Sequence, residues 1–77
     1  MSVITVELPA RPKAGFIPRG VFGHAYRDHT KWFCLRSDLV QAHKSHVFRA
    51  RVATLNNDPA CAAWELQAAG AVRRLLS

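Results

Sequence analysis

A chain of 77 residues has room for one small domain, because a protein of this length buries only about 60–65% of the surface that its unfolded form exposes. Its composition is 49% hydrophobic and 21% charged, which excludes an intrinsically disordered segment, and its uncharged runs are too short to span a bilayer. Eleven Lys and Arg against five Asp and Glu give a net charge of +6, so the composition favours an anionic partner and no membrane insertion.

The first twenty residues predict a strand followed by an irregular arm. Residues 3–8 alternate β-branched and other side chains, with Ile4 and Val6 on one face, which is typical of a strand. Three prolines and two glycines in residues 9–20 exclude a regular element there. We therefore expect residues 9–20 to form a basic arm that Phe16 and Ile17 anchor to the core, and a loop of this length is often functional.

The middle of the chain predicts a hairpin. Residues 21–26 and 31–36 are rich in β-branched and aromatic side chains, and a turn sequence separates them. Residues 39–43 fit either a short strand or one or two helical turns capped by Ser37. The sequence leaves these two alternatives open.

Residues 46–55 predict the clearest strand, because two sets of side chains alternate along them. The alternation puts Phe48 and Val52 on the face toward the core. Arg49 and Arg51 fall on the opposite face, about 7 Å apart, which is close to the phosphate spacing along one nucleic-acid strand. The strand therefore predicts a basic surface on the outside of the sheet.

Residues 59–76 predict a C-terminal helix. Asn57 or Asp58 supplies the N-cap, Pro59 suits the first turn, and the alanine- and leucine-rich run ends near two arginines. The side of this helix away from the core is small and weakly polar, which favours the close approach of a partner or of a second copy. The expected homodimer face consists of Ala63, Leu66 and Gly70.

Together these elements predict one α+β domain over residues 1–77. It consists of a small antiparallel sheet of three to five strands with one C-terminal α-helix packed on one face. Apolar positions at strand and helix spacing define the expected core. Its members are Ile4, Val6, Phe48, Val52, Cys61, Trp64, Ala68, Val72 and Leu75.

Residues that carry catalysis or bind metals do not form a recognisable motif. Four histidines, at positions 24, 29, 43 and 46, suggest a zinc site, but their spacing does not make four ligands converge. His24 and His46 are acid–base residues of the kind that a metal-free RNase toxin needs, although no spacing demands that arrangement. Phosphate-binding loops and nucleophile elbows are absent from the sequence. We therefore expect a protein that is not an enzyme and has no metal or cofactor.

The cysteines and the first residues of the sequence suggest a location. Cys34 and Cys61 are too few for a disulfide framework and lie among apolar neighbours, so free thiols are favoured over a single bridge. The first residues have no basic segment followed by a long apolar run, as a signal peptide has. Both observations favour the cytoplasm of a bacterial host cell.

A basic surface is the strongest functional signal in the sequence. Its arginine content suits planar contacts with phosphate or carboxylate groups. The partner is expected to be nucleic acid or an acidic protein surface, and not a membrane. The expected partner-binding residues are Arg11, Lys13, Arg19, Arg27, Lys31, Arg36, Lys44, Arg49 and Arg51.

In overall character the chain resembles the small single-domain inhibitors of phages and mobile elements, among them the anti-CRISPR proteins. The features that carry the resemblance are the length, a lone helix over residues 58–76 after a short sheet, and the lack of active-site motifs. The resemblance implies a stoichiometric inhibitor that binds a host nucleoprotein complex and blocks nucleic-acid binding. Many such inhibitors are acidic, whereas this chain is basic. A nucleic-acid-binding accessory protein is the alternative, and an RNase toxin is the third.

Overall fold

A computed structural model describes residues 3–19, 31–35 and 37–76 of the chain. Within these residues the elements are strand β1 (Val3–Glu7), strand β2 (Lys31–Leu35), helix α1 (Asp38–Leu55) and helix α2 (Pro59–Leu76). The prediction of an α+β domain with a three-to-five-strand sheet and one helix is wrong, because two long helices dominate the described part of the chain. Its strands form only a two-stranded ribbon.

The two strands pair antiparallel, with Val3 opposite Leu35 and Glu7 opposite Lys31. Both segments were predicted as strands, and Pro9 soon after β1 explains why it stops there. The expected hairpin partner of β2, residues 21–26, lies outside the described residues. Within the described residues, β2 instead pairs with the N-terminal strand.

Helix α1 overturns the strand predicted over residues 46–55. Leu39, Ala42, His46 and Ala50 are buried and recur every three or four residues, so they form one face of a helix that packs along α2. The alternative left open for residues 39–43 is thereby decided in favour of helix, although the Ser37 side chain makes no capping hydrogen bond. Burial of this helical face outweighs the period-two alternation of the sequence.

The junction between the helices follows the predicted turn chemistry. Helix α1 ends at Leu55 with Asn56 as its C-cap, and the next residue, Asn57, has a φ of 56°, a left-handed conformation that asparagine tolerates better than most residues. Asp58 Oδ1 then accepts a hydrogen bond from the Cys61 amide at 3.2 Å, which makes Asp58 the N-cap of α2. The helix predicted over residues 59–76 is confirmed.

The core lies where β1 meets the two helices. Val6, Leu39, Ala42 and Val72 form its centre, and Ile4 packs against it. Of the expected core residues, Val6, Trp64, Ala68 and Val72 are confirmed as buried, whereas Ile4 and Cys61 are half-buried. The assignments of three residues to the core are wrong, because their side chains are exposed: Phe48, Val52 and Leu75.

The arm is held to α2 through Trp64. The Trp64 indole N–H donates a hydrogen bond to the Pro9 carbonyl oxygen at 3.1 Å, and the Phe16 and Trp64 ring centroids lie 4.9 Å apart. These contacts agree with the anchoring role expected for Phe16, but Ile17 is exposed. Neither described helix is long and apolar enough to cross a membrane.

Candidate binding surface on the first helix

A cluster of charged and polar side chains lies between α1 and α2. His46 Nδ1 is 2.7 Å from Glu65 Oε1, and both side chains are buried. Arg49 Nε donates to the other carboxylate oxygen of Glu65 at 3.3 Å, and Arg49 Nη2 donates to the carbonyl oxygen of Arg19. One carboxylate therefore joins two residues of α1 to α2, and Arg49 also joins α1 to the arm.

This cluster corrects the role expected for Arg49. Its side chain is only 20% exposed and is engaged with Glu65, so it serves the packing of α1. Arg51 is exposed. Positions i and i+2 of a helix are separated by about 200° around its axis. Arg49 and Arg51 therefore do not share a face, as they would in a strand. The expected basic surface on a sheet is therefore wrong for this pair.

The side of α1 opposite the core combines apolar and basic side chains. Phe48 is 65% exposed and Leu55 is 82% exposed, and the side chains of this side follow one another at three- and four-residue spacing. Their shared property is that α1 turns them away from α2. We call the following set the outer face of α1: Val40, Lys44, Phe48, Arg51, Val52 and Leu55.

The charge of the outer face is positive. Lys44 lies one turn before Phe48, and Arg51 lies about one turn after it, so two cations flank the exposed ring. A shallow groove at this point is lined by Lys44, Phe48 and Arg51 together with His43 and Val47. The only acidic residue of α1, Asp38, is in its first turn. This arrangement suits a partner that carries both apolar groups and negative charge.

The basic residues of the arm have a different setting. Lys13 Nζ lies 3.0 Å from Asp58 Oδ2, which ties the arm to the start of α2. The hydrogen bond from Lys13, with a second from Cys61, lowers the pKa of Asp58 to about 2, and the same contact with Asp58 raises the pKa of Lys13. Lys13 therefore has a structural contact within the chain, in addition to its expected role in partner binding. Arg11 and Arg19 are exposed on the arm.

Three other expected partner-binding residues lie wholly or partly outside the described part of the chain. Lys31 belongs to β2, and its side chain lies outside the described part of the chain. Arg27 and Arg36 lie outside the described residues altogether. Lys44 and Arg51 are thus the two expected partner-binding residues that α1 places on its outer face, and sequence reasoning named both.

The expected homodimer face on α2 is only partly exposed. Ala63 and Leu66 face solvent, and Gly70 is half-buried. The neighbouring Ala62 and Ala69 are buried, so much of the small-residue side of α2 packs inside the protein. The dimer stays a prediction.

The histidines and cysteines show no assembled reactive site in the described residues. His46 is fully buried, so its ring cannot contact an RNA phosphate in this conformation, and His24 and His29 lie outside the described residues. No three His, Cys, Asp or Glu side chains converge for a metal ion in residues 3–19, 31–35 and 37–76. Cys61 is a free thiol whose pKa is raised by burial and by Asp58.

Comparisons with family models, curated proteins and solved structures found no match to this chain. The resemblance to anti-CRISPR proteins therefore stays a prediction. Sequence reasoning missed Phe48 as a surface residue, because it placed Phe48 in a sheet core, and it assigned Leu55 to neither face of the predicted strand. The signal that could have found them is the helical spacing of Val40, Lys44, Phe48 and Leu55.

Proposed function

We propose that this protein is a non-enzymatic binding protein that forms a stoichiometric complex with a negatively charged partner through the outer face of α1. The observation that carries the proposal is the 65% exposure of Phe48 between Lys44 and Arg51. Scattered exposed apolar residues are normal, but a contiguous set with a large aromatic ring is a common mark of an interaction site. The flanking cations favour a partner of opposite charge.

The biological role that we propose is inhibition of a host nucleoprotein complex. A small basic protein that occupies an acidic site on such a complex would inhibit the complex without catalysing a reaction, since binding alone excludes the competing ligand from that site. The fixed packing of α1 supports this role, because a rigid helix loses little conformational entropy when it binds. A nucleic-acid-binding accessory protein is the alternative, and it is favoured by the net charge of +6.

The test is affinity isolation of the tagged protein from its native host, with and without nuclease. We expect a target that survives nuclease treatment and is retained in stoichiometric amount. The variants Lys44→Glu and Arg51→Glu should each lose it, because each puts a carboxylate beside Phe48. Arg73→Glu is the matched control, since it makes the same change in net charge on an exposed residue of α2.

Two results would contradict the proposal. In the first, all three variants retain the target equally, which would mean that the outer face of α1 is not the site. In the second, the bound material disappears with nuclease and affinity falls with salt at a log–log slope of roughly −0.7 to −0.9 per phosphate contact. The second result would replace the inhibitor with the nucleic-acid-binding accessory protein.

A further inference from the structure

We infer that the segment contacting the outer face of α1 is an acidic amphipathic helix of another protein. This inference rests on the proposed function and names the chemistry of its partner. Its apolar side chains would cover Phe48 and Leu55, and its carboxylates would pair with Lys44 and Arg51. Three features of the outer face support this occupant: the length of its apolar row, its one-sided charge, and the small number of its cations.

The apolar row on the outer face has the length of a helix. Val40, Phe48, Val52 and Leu55 are all exposed and lie on the side of α1 away from α2. From Val40 to Leu55 the row extends along α1 by about 22 Å, at 1.5 Å per residue. A partner helix of about four turns would run beside it and bury each of these side chains between its own apolar residues.

The charge of the outer face selects an acidic partner over a second copy of this chain. Lys44 and Arg51 lie within the apolar row, and the only carboxylate of α1, Asp38, is in the first turn of the helix, before Val40. Two copies packed through this face would bring like charges together, which is unfavourable across an interface. A helix with glutamate or aspartate beside its apolar stripe has the opposite charge pattern and would pair with both cations.

The small number of cations also argues against nucleic acid and lipid on this face. Nucleic-acid interfaces are strongly basic and polar, whereas the outer face has four exposed aliphatic and aromatic side chains and two basic ones. Stable attachment to an anionic membrane takes either a larger polybasic patch or a second anchor. Apolar side chains in a row, with charge at two points, fit a protein surface better.

The experiment measures binding of defined probes to the full chain by fluorescence anisotropy. The first probe is a helical peptide of about 20 residues with leucine on one face and glutamate on the other. Three further probes separate the contributions of apolar contact, of the carboxylates and of negative charge alone to binding. They are the same peptide with alanine for leucine, the same peptide with glutamine for glutamate, and oligodeoxythymidine of equal charge. Vesicles of phosphatidylserine and phosphatidylcholine, measured by sedimentation, test a lipid surface.

We expect the leucine–glutamate peptide to bind at least about tenfold more tightly than any other probe. Phe48→Ala and Leu55→Ala should remove that advantage, whereas Leu66→Ala should retain it, because Leu66 is an exposed leucine on α2. Circular dichroism of each variant checks that the helices are intact.

Equal binding of the two glutamate-containing peptides, or tighter binding of oligodeoxythymidine or of vesicles, would overturn the inference. So would the absence of any binding by the leucine–glutamate peptide. None of these results decides the proposed function, which fails separately if Lys44→Glu and Arg51→Glu retain the native target. The two failures are therefore distinguishable.

Discussion

At the level of single residues, the contact between His46 and Glu65 constrains how the helices pack. Both side chains are buried, and Arg49 donates to the remaining carboxylate oxygen. Removing a carboxylate from water is costly unless its oxygens accept hydrogen bonds from well-placed donors. Glu65 has such donors on α1, so the side chains of three residues fix one rotation of α1 relative to α2.

We predict that Glu65→Ala lowers the free energy of unfolding by about 3 kcal/mol, because it leaves His46 and Arg49 without their carboxylate. Urea denaturation followed by circular dichroism measures this. Glu7→Ala is the control, since Glu7 is an exposed carboxylate on β1 and should have an effect of only about 0.5 kcal/mol or less. Equal losses in the two variants would show that the buried contact does not stabilise the fold.

Asp58 gives a prediction about pH. Its pKa is about 2 in the folded protein, below the ordinary aspartate value of 3.8, so the folded state favours the ionised carboxylate. A carboxyl group whose pKa is lowered by folding stabilises the fold at every pH above its pKa in the unfolded state. This contribution is lost as the pH falls through the pKa of the group in the folded state. Wild type should therefore exceed Asp58→Asn in melting temperature above pH about 4, with the difference shrinking toward pH about 2.

Asparagine keeps an oxygen that can accept the hydrogen bond from the Cys61 amide, so this variant tests the charge more than the cap. Lys13→Ala should reduce the same pH dependence, since the hydrogen bond from Lys13 is the largest cause of the lowered pKa. A difference between wild type and Asp58→Asn that stays constant over this pH range would contradict the assignment.

At the level of elements, α1 has two apolar sides with different roles. Leu39, Ala42 and Ala50 face α2 and the sheet, whereas Phe48 and Leu55 face solvent. A helix that is apolar on both sides has weak amphipathic periodicity, and its residues 46–55 also alternate as a strand does. Only the packing against α2 decides between the two, which is why the sequence predicted a strand.

A pair of substitutions tests this assignment. Leu39→Ala should lower the free energy of unfolding by about 2–5 kcal/mol, because it opens a cavity in the core. Phe48→Ala should change it by about 1 kcal/mol or less, since the ring is mostly exposed and alanine favours a helix. If residues 46–55 formed a strand with Phe48 in the core, the Phe48→Ala loss would instead be comparable with that of Leu39→Ala. Chemical denaturation of both variants decides the matter.

At the level of the whole molecule, what could be predicted from the sequence depends on how local the signal is. Strand β1 and helix α2 were predicted because local signals mark one boundary of each. Pro9 marks where the strand ends, and the Asn57–Asp58–Pro59 turn marks where the helix begins. The pairing of β2 with β1 joins distant parts of the chain, and no local pattern encodes it. The contact of Glu65 with His46 likewise depends on the packing of two helices.

Prediction of the candidate site from the sequence is limited in the same way, because long-range packing decides its arrangement. Lys44 and Arg51 were named from charge alone, but their common position beside Phe48 requires a helix. Arg49 was assigned to the same surface because a strand was assumed, and the structure instead directs it to Glu65. Residue type was therefore predictable at this site, whereas the arrangement of residues on one face was not.

Site-specific photo-crosslinking in the native host tests whether the partner binds on the outer face of α1, as we propose. A photoreactive phenylalanine analogue replaces Phe48, and the control replaces Gln67, an exposed residue of α2. We predict a protease-sensitive, nuclease-resistant adduct from position 48 that Arg51→Glu abolishes, and none from position 67. Adducts of equal yield from both positions, or none from position 48, would contradict the claim.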